Sequence, residues 1–386
     1  MNYLGSALFR VTNIGFLSLA NLMVSLILPA TEFAGFYRII ATIVVLIAIF
    51  DVFNAKYMVS ILAGDSSRFD EIVQARFFLA ILSSLAAFAV AHLYGFDGIV
   101  SGLSGLLTGL MLCNSGFLTL FYCTPGRQNQ IVFSSGLGLA TMLGFLFIGR
   151  NQAFSIHTGL TALVLYKMTE LIWLGGFVEK FRHFRDFRSR NKSVFSALRL
   201  FPRIAFYVQN ILSVLSGRLH AFVLPLILIP AEFGVLSAAV TLMAVYIFFL
   251  TFLGTEFFRD TSAVGLKNAR WHPYVARVLV TLTLYLLVIF TVIPVFYPQL
   301  RSFLPFMVAL AIVLTISSQQ GYILFLLGLD RWIIILSAAT LMVSLFFLYI
   351  IPNAYELNGA FLAMIATELA STIMAAAILI VARTLR

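Results

Sequence analysis

Apolar runs of about 20 residues, each long enough to cross a hydrocarbon core as a helix, follow one another along almost the whole chain. Short polar breaks separate them. The pattern predicts spans at 11–29, 38–62, 77–96, 99–121, 130–149, 155–177, 203–229, 234–258, 274–297, 303–328, 332–351 and 358–382. One interruption is longer than the rest, at 179–203, and it places six spans on either side. An even number per half brings both halves into the membrane from the same side, so the repeats are parallel and related by an axis along the membrane normal. The halves also share a local motif. Ile27-Leu-Pro-Ala-Thr-Glu-Phe-Ala-Gly35 in the first returns as Leu228-Ile-Pro-Ala-Glu-Phe-Gly234 in the second. The chain is therefore expected to be an all-α integral membrane protein of twelve transmembrane helices in two six-helix bundles. Residues 1–178 form the first bundle, 179–202 a basic cytoplasmic linker and 203–386 the second bundle.

Composition excludes a soluble globule: 61% of residues are apolar and only 10% are charged. Loops this short leave no room for a separate catalytic domain. The net charge of +10 is a topology signal rather than a sign of nucleic-acid binding. Lys180, Arg182, Arg185, Arg188, Arg190, Lys192, Arg199 and Arg203 crowd the interruption. With the N-terminus inside, only Arg38, Arg150 and Arg301 fall in outer loops, so both termini are expected on the cytoplasmic side. Phe181, Phe184, Phe187 and Phe195 interleave with the central cations, which also suits an amphipathic helix on an anionic leaflet. The first apolar run lacks a small-residue cleavage site and is read as a retained span.

Within the spans, Gly98, Gly102, Gly105, Gly109 and Gly116, and then Gly136, Ala140 and Gly144, form small-residue stripes that let helices approach closely. Pro225 and Pro294 permit kinks. Ionisable residues are more informative, because a charge at mid-bilayer costs about 2.5–3.5 kcal/mol and so tends to face a pathway or a partner. Arg218 and Asp51 are read as central in their spans, Asn54 lies one turn beyond Asp51, and Lys56 lies nearer the inner end. Lys167 and Glu170 are three apart and can neutralise each other. His220, two residues from Arg218, is placed on roughly the opposite side of the helix. Glu368 has no charge near it in sequence, and Glu256 adjoins Arg259 and Asp260. Arg218, Lys56, Asp51 and Asn54 are taken as substrate-binding candidates. Glu368, Lys167, Glu170, His220 and Glu256 are taken as ion-coupling candidates. There is no GxxxxGK[ST] loop, HExxH motif or Cys/His array, and Cys113 and Cys123 are ten apart, so neither enzyme chemistry nor a metal or cofactor is expected.

The segment Leu215-Ser-Gly-Arg218-Leu-His220-Ala-Phe-Val-Leu-Pro225, continuing through Gly234, resembles the start of the second half in bacterial polysaccharide and O-antigen flippases. These belong to the superfamily that includes multidrug and toxin extrusion transporters. Gly35-Phe-Tyr37 looks like the first-half copy of the family's Gly-x-Tyr opening. His220 departs from the family's Arg-x-Asp pattern. The resemblance implies two bundles around a central cavity lined by spans one, two, seven and eight, which alternate between inward-open and outward-open states. The cargo would be a polyprenyl-diphosphate-linked oligosaccharide flipped between leaflets during surface polysaccharide and lipopolysaccharide synthesis, with membrane lipids and other polysaccharide-assembly membrane proteins as partners. Arg218 and Lys56 would offset desolvation of the diphosphate, with Asp51 orienting or releasing Arg218.

The rival reading is a cation-coupled exporter of drugs or other amphipathic small molecules with the same fold. A cavity for such cargo is expected to favour carboxylates and aromatics over arginine. A membrane-embedded glycosyltransferase or polymerase would need a long polar outer loop, which the spacing does not provide.

Overall fold

The computed structural model describes residues 17–52, 69–123, 129–151, 153–177, 204–264, 271–327 and 329–384. Every regular element in them is helical, in the order α1 (Leu17–Ile27), α2 (Ala30–Phe50), α3 (Phe69–Leu93), α4 (Gly98–Cys123), α5 (Asn129–Ile148), α6 (Ile156–Phe177), α7 (Ile204–Arg218), α8 (Pro230–Val264), α9 (Trp271–Phe296) and α10 (Leu304–Leu326). A last helical run, Asp330–Thr384, breaks at Glu356, whose φ of 50° and ψ of −131° leave the helical region. The break separates α11 (330–355) from α12 (357–384). Eight segments of the described chain are long and apolar enough to cross a membrane. The twelve-span, two-bundle layout is consistent with this series.

The outer faces of these helices are hydrocarbon. Leu279, Leu284, Leu287 and Phe290 on α9 are all more than half exposed, a surface that water would not tolerate and lipid does.

The helix boundaries differ from the hydropathy reading in an instructive way. The repeated Pro-Ala-(Thr)-Glu-Phe motif does not join two spans as a loop; it is the first turn of the second one. Pro29 immediately precedes α2 and Pro230 opens α8, positions where a missing N–H costs no helical bond. Glu32 and Glu232 then sit in first turns, where a carboxylate meets the positive end of the helix dipole. Arg38, expected in an outer loop, therefore lies inside α2. Helix α3 likewise begins eight residues earlier than its apolar run, which carries Arg76 into the helix from its expected place in an inner loop. Span seven is not one helix: α7 stops at Arg218, and a short helix His220–Val223 and a 3-10 turn Leu224–Leu226 containing Pro225 follow.

By contacts the chain divides into two units, Arg38–Ile211 in the first, and Asn21–Tyr37 with Leu212–Arg386 in the second. In the first, α3 packs on α4, α4 on α6 and α5 on α6. Glycine makes the closest approaches. A Cβ on Gly105 would lie 2.8 Å from the Ser84 carbonyl oxygen, and one on Gly138 2.7 Å from that of Tyr166. The expected stripe of Gly136 and Gly144 instead meets open space, so Gly138 brings α5 onto α6. In the second unit α8 packs on α9 and α10, and α10 packs on the final helical pair. There the two copies of the repeated motif meet: a Cβ on Gly234 would lie 1.9 Å from the Ala30 carbonyl oxygen, so only glycine fits at that point.

Candidate functional site

Arg218 ends α7, and Leu219, whose φ of −57° and ψ of −36° stay helical, leads directly into the short helix that starts at His220. A continuous helix would send side chains two apart to opposite faces. Here Arg218 and His220 nevertheless both reach one group, the Tyr37 hydroxyl. Its oxygen accepts from Arg218 Nη1 at 3.3 Å and lies 2.7 Å from His220 Nε2. With the oxygen already receiving the guanidinium, the hydroxyl proton is best used at Nε2, which leaves the ring hydrogen on Nδ1. The Tyr37 and His220 rings lie 5.8 Å apart, and Phe33 and Phe233, one from each copy of the repeated motif, flank Tyr37. Tyr37 and His220 are buried, and Arg218 is half-buried. Among the described residues no carboxylate pairs with Arg218. The expectation that His220 faces away from Arg218 is thus corrected: both side chains meet the same hydroxyl. Tyr37 was quoted in the sequence as part of a motif but not as a site residue, and only the fold shows its role.

The other acidic and basic candidates of the described chain lie elsewhere. Asp51 is not in the middle of a span; it follows the last residue of α2. Its carboxylate accepts from Arg76 Nη2 at 2.6 Å, while Arg76 Nη1 donates to Ser115 at 2.9 Å. Arg76 is 2% exposed, so this is a buried ion pair between the end of α2, α3 and α4. Asp51 thus binds Arg76, a partner that the resemblance did not give it. Lys167 and Glu170 pair within α6, Nζ to Oε2 at 2.6 Å. Asn114 on α4 donates to Glu170 at 3.1 Å and to the Lys167 carbonyl at 2.9 Å, and Ser135 on α5 donates to Glu170 at 2.5 Å. One carboxylate thus ties three helices together. Glu368 lies on α12, where the Ser317 hydroxyl of α10 bonds it. Asn54, Lys56 and the basic stretch 179–203 lie outside the described residues, as does the side chain of Glu256. Among the described residues no group of His, Cys, Asp or Glu is arranged to hold a metal ion.

No protein-family model matches the chain, and no curated protein matches it. Solved structures do. The inward-facing conformation of a multidrug resistance MATE family transporter of the MOP superfamily superposes with a TM-score of 0.61 at 15% identity, covering 96% of each chain. The eukaryotic MATE transporter AtDTX14 superposes with a TM-score of 0.61 at 14% identity, covering 98% of this chain and 94% of its own. A MOP superfamily transporter from Pyrococcus furiosus, described as having a binding pocket of reverse polarity that suggests a different function, matches at a TM-score of 0.50 and 13% identity, over 96% of this chain and 93% of its own. At such identities the likeness is one of fold. The chain shares the fold of MATE family transporters.

Proposed function

We propose that this chain exports an amphipathic small molecule across the membrane by alternating access, driven by a cation gradient. The observation that carries this reading is the fold likeness over nearly the full length of multidrug transporters, including one in an inward-facing and one in an outward-facing conformation. Glu368, half-buried between α10 and α12 and bonded by one hydroxyl, supplies the carboxylate that cation coupling needs. The test is efflux from proteoliposomes loaded with a cationic dye. Under an imposed proton or sodium gradient, wild type is expected to clear the dye and Glu368→Gln is not. Equal efflux by the two would remove Glu368 from the mechanism, and absence of gradient-driven efflux would remove the reading.

A second reading, translocation of a polyprenyl-diphosphate-linked oligosaccharide between leaflets of a bacterial inner membrane, is favoured by one local observation. Arg218 is held by a neutral hydroxyl, with no carboxylate on it among the described residues, so its charge stays available to an anion. Reconstituted flipping of a lipid-diphosphate oligosaccharide, without dye efflux, would establish that reading in place of the first.

A further inference from the structure

Hydroxyls of the second unit fall into two groups. Thr281, Thr283 and Thr291 on α9 donate to carbonyls of their own helix, as do Thr241 on α8 and Thr367 on α12. These are satisfied locally and connect nothing. The second group bonds across helices. Ser213 of α7 lies 3.4 Å from Ser337 of α11, Thr340 of α11 donates to Ser371 of α12 at 3.2 Å, and Ser317 of α10 bonds the Glu368 carboxyl of α12.

These contacts form one series. Ser337 and Thr340 are three apart on α11, and Glu368 and Ser371 are three apart on α12, so each pair shares a helix face with Cβ atoms about 5–6 Å apart. Side-chain rotation or one bridging water closes such a gap. Ser371 accepts from Thr340, which leaves its own hydrogen to turn toward Glu368, one turn back on the same helix. The order is then Ser213, Ser337, Thr340, Ser371 and Glu368. Ser213 is exposed and the other four are half-buried, so the series runs inward from an open end. The helix at that end, α7, carries Gln209, Asn210, Ser213 and Ser216 within about two turns, a polar density that belongs against water and not against acyl chains.

We infer that this series is a proton path to Glu368 and that the coupling cation is the proton. The path deepens the export reading, on which its coupling role rests, by naming the ion and the residues that deliver it. Each hydroxyl accepts a proton on a lone pair and passes its own hydrogen to the next acceptor. One proton enters at Ser213, one O–H bond forms on the Glu368 carboxyl, and every hydroxyl ends neutral. A sodium ion has no such route, because it moves only where a shell of oxygen ligands replaces its hydration, and a file of single hydroxyls is not a shell.

The test is the rate at which the Glu368 carboxyl protonates after a drop in pH, in full-length protein in proteoliposomes, read at its infrared carbonyl band and assigned by loss of that band in Glu368→Gln. Ser371→Ala and Thr340→Val are each expected to slow protonation about tenfold, the scale of one lost hydrogen bond, with Ser371→Thr close to wild type. Thr281→Val, whose hydroxyl bonds only its own helix, is expected to leave the rate unchanged. Wild-type rates in both Ser371→Ala and Thr340→Val, with or without a fall in unfolding midpoint, would make these hydroxyls mere helix ties and overturn the path, as would absence of the band in wild type. If one of the two variants does not fold, the other decides. Dye efflux separates this inference from the reading beneath it. Efflux driven by sodium and not by protons removes the path and leaves the export reading; no efflux under either gradient, with protonation slowed in Ser371→Ala, removes the export reading and leaves the path.

Discussion

The first unit neutralises two of its buried arginines and lysines with carboxylates; the second leaves Arg218 on a tyrosine. Arg76–Asp51 and Lys167–Glu170 are short contacts at 2.6 Å, each further bonded by serine or asparagine, and both cations are at most 4% exposed. Such pairs recover the cost of burial only with close geometry and further hydrogen bonds, and here those bonds join helices: Arg76 on α3 links Asp51 to Ser115 of α4, and Glu170 is tied to α4 and α5. Arg218 is treated in the opposite manner. Its partner is a neutral oxygen 3.3 Å away, itself shared with an imidazole, so the positive charge is oriented but not cancelled. A cancelled charge is architecture, whereas an oriented and uncancelled one remains able to act on a ligand. By this criterion we propose that Lys167 and Glu170 serve the scaffold and that a cargo would be felt at Arg218 with Tyr37.

The sharpest way to break this contrast is to unbalance a scaffold pair. Glu170→Ala removes the acceptor for Lys167, Asn114 and Ser135 together and leaves an uncompensated buried cation. The expected loss is about 3–5 kcal/mol of stability, read as a fall in unfolding midpoint and in folded yield. The double variant Lys167→Met with Glu170→Gln removes both charges while keeping an acceptor for Asn114 and Ser135, and is expected to recover most of that loss. If it does not, the pair is more than a scaffold, and a role in ion coupling returns. In the second unit the comparable scaffold element is a contact, not a charge. Gly234→Ala sets a methyl into the Ala30 backbone, where no side-chain rotation relieves it, and a cost of about 3 kcal/mol, at the upper end for overpacking, is expected in the same measurement.

Much of the fold was legible from the run lengths, because hydrocarbon demands continuous apolar helices and the chain had to declare them. Helix ends were less legible. Hydropathy marks where a helix is greasy and not where it is hydrogen-bonded, so α2 and α8 were begun too late, although Pro29 and Pro230 were the signal that places their first turns. Arg76 was lost for the same reason: a charge near an apolar run reads as loop until a partner such as Asp51 is known, and that partner is 25 residues away. The Lys167–Glu170 pair was legible because its spacing is local. The Arg218 cluster was legible only in part. Arginine in a membrane span stands out, but the hydroxyl that Arg218 and His220 share belongs to Tyr37, 181 residues away from Arg218, and no local spacing marks it.

Substitutions at Arg218 test the contrast from the other side. Arg218→Ala is expected to leave the unfolding midpoint close to wild type, since no carboxylate of the described chain is stranded by its loss. Transport of the true cargo should fall about tenfold to a hundredfold, the range for one hydrogen bond from a charged group. Arg218→Lys keeps the charge without the planar donors and is expected to fall between. A stability loss as large as that of Glu170→Ala would show that Arg218 is scaffold after all. Tyr37→Phe should be milder. The ring and its contacts with Phe33 and Phe233 remain while the hydroxyl shared by Arg218 and His220 goes, so a loss of about fivefold to tenfold in transport is expected, scaled from a single neutral hydrogen bond. It should follow the same cargo as Arg218→Lys.

The smallest effect is expected outside the membrane spans, at the turn between α3 and α4. The Val100 amide on Asp97 holds this carboxyl below its ordinary value of 3.8, and His157 acts in the same direction. A carboxylate whose folded value is depressed contributes stability that is fully present above the unfolded value and is lost as pH falls through the folded one. The unfolding midpoint should therefore hold from neutral pH down to about 4 and then decline more steeply in wild type than in Asp97→Asn, whose amide oxygen still accepts from Val100 but does not titrate. Because the side chain is exposed, the difference should be small and should shrink with added salt. Equal declines in wild type and Asp97→Asn would instead show that this carboxyl contributes nothing as an anion, and charge pairing would then matter in the interior of the first unit and not at its rim.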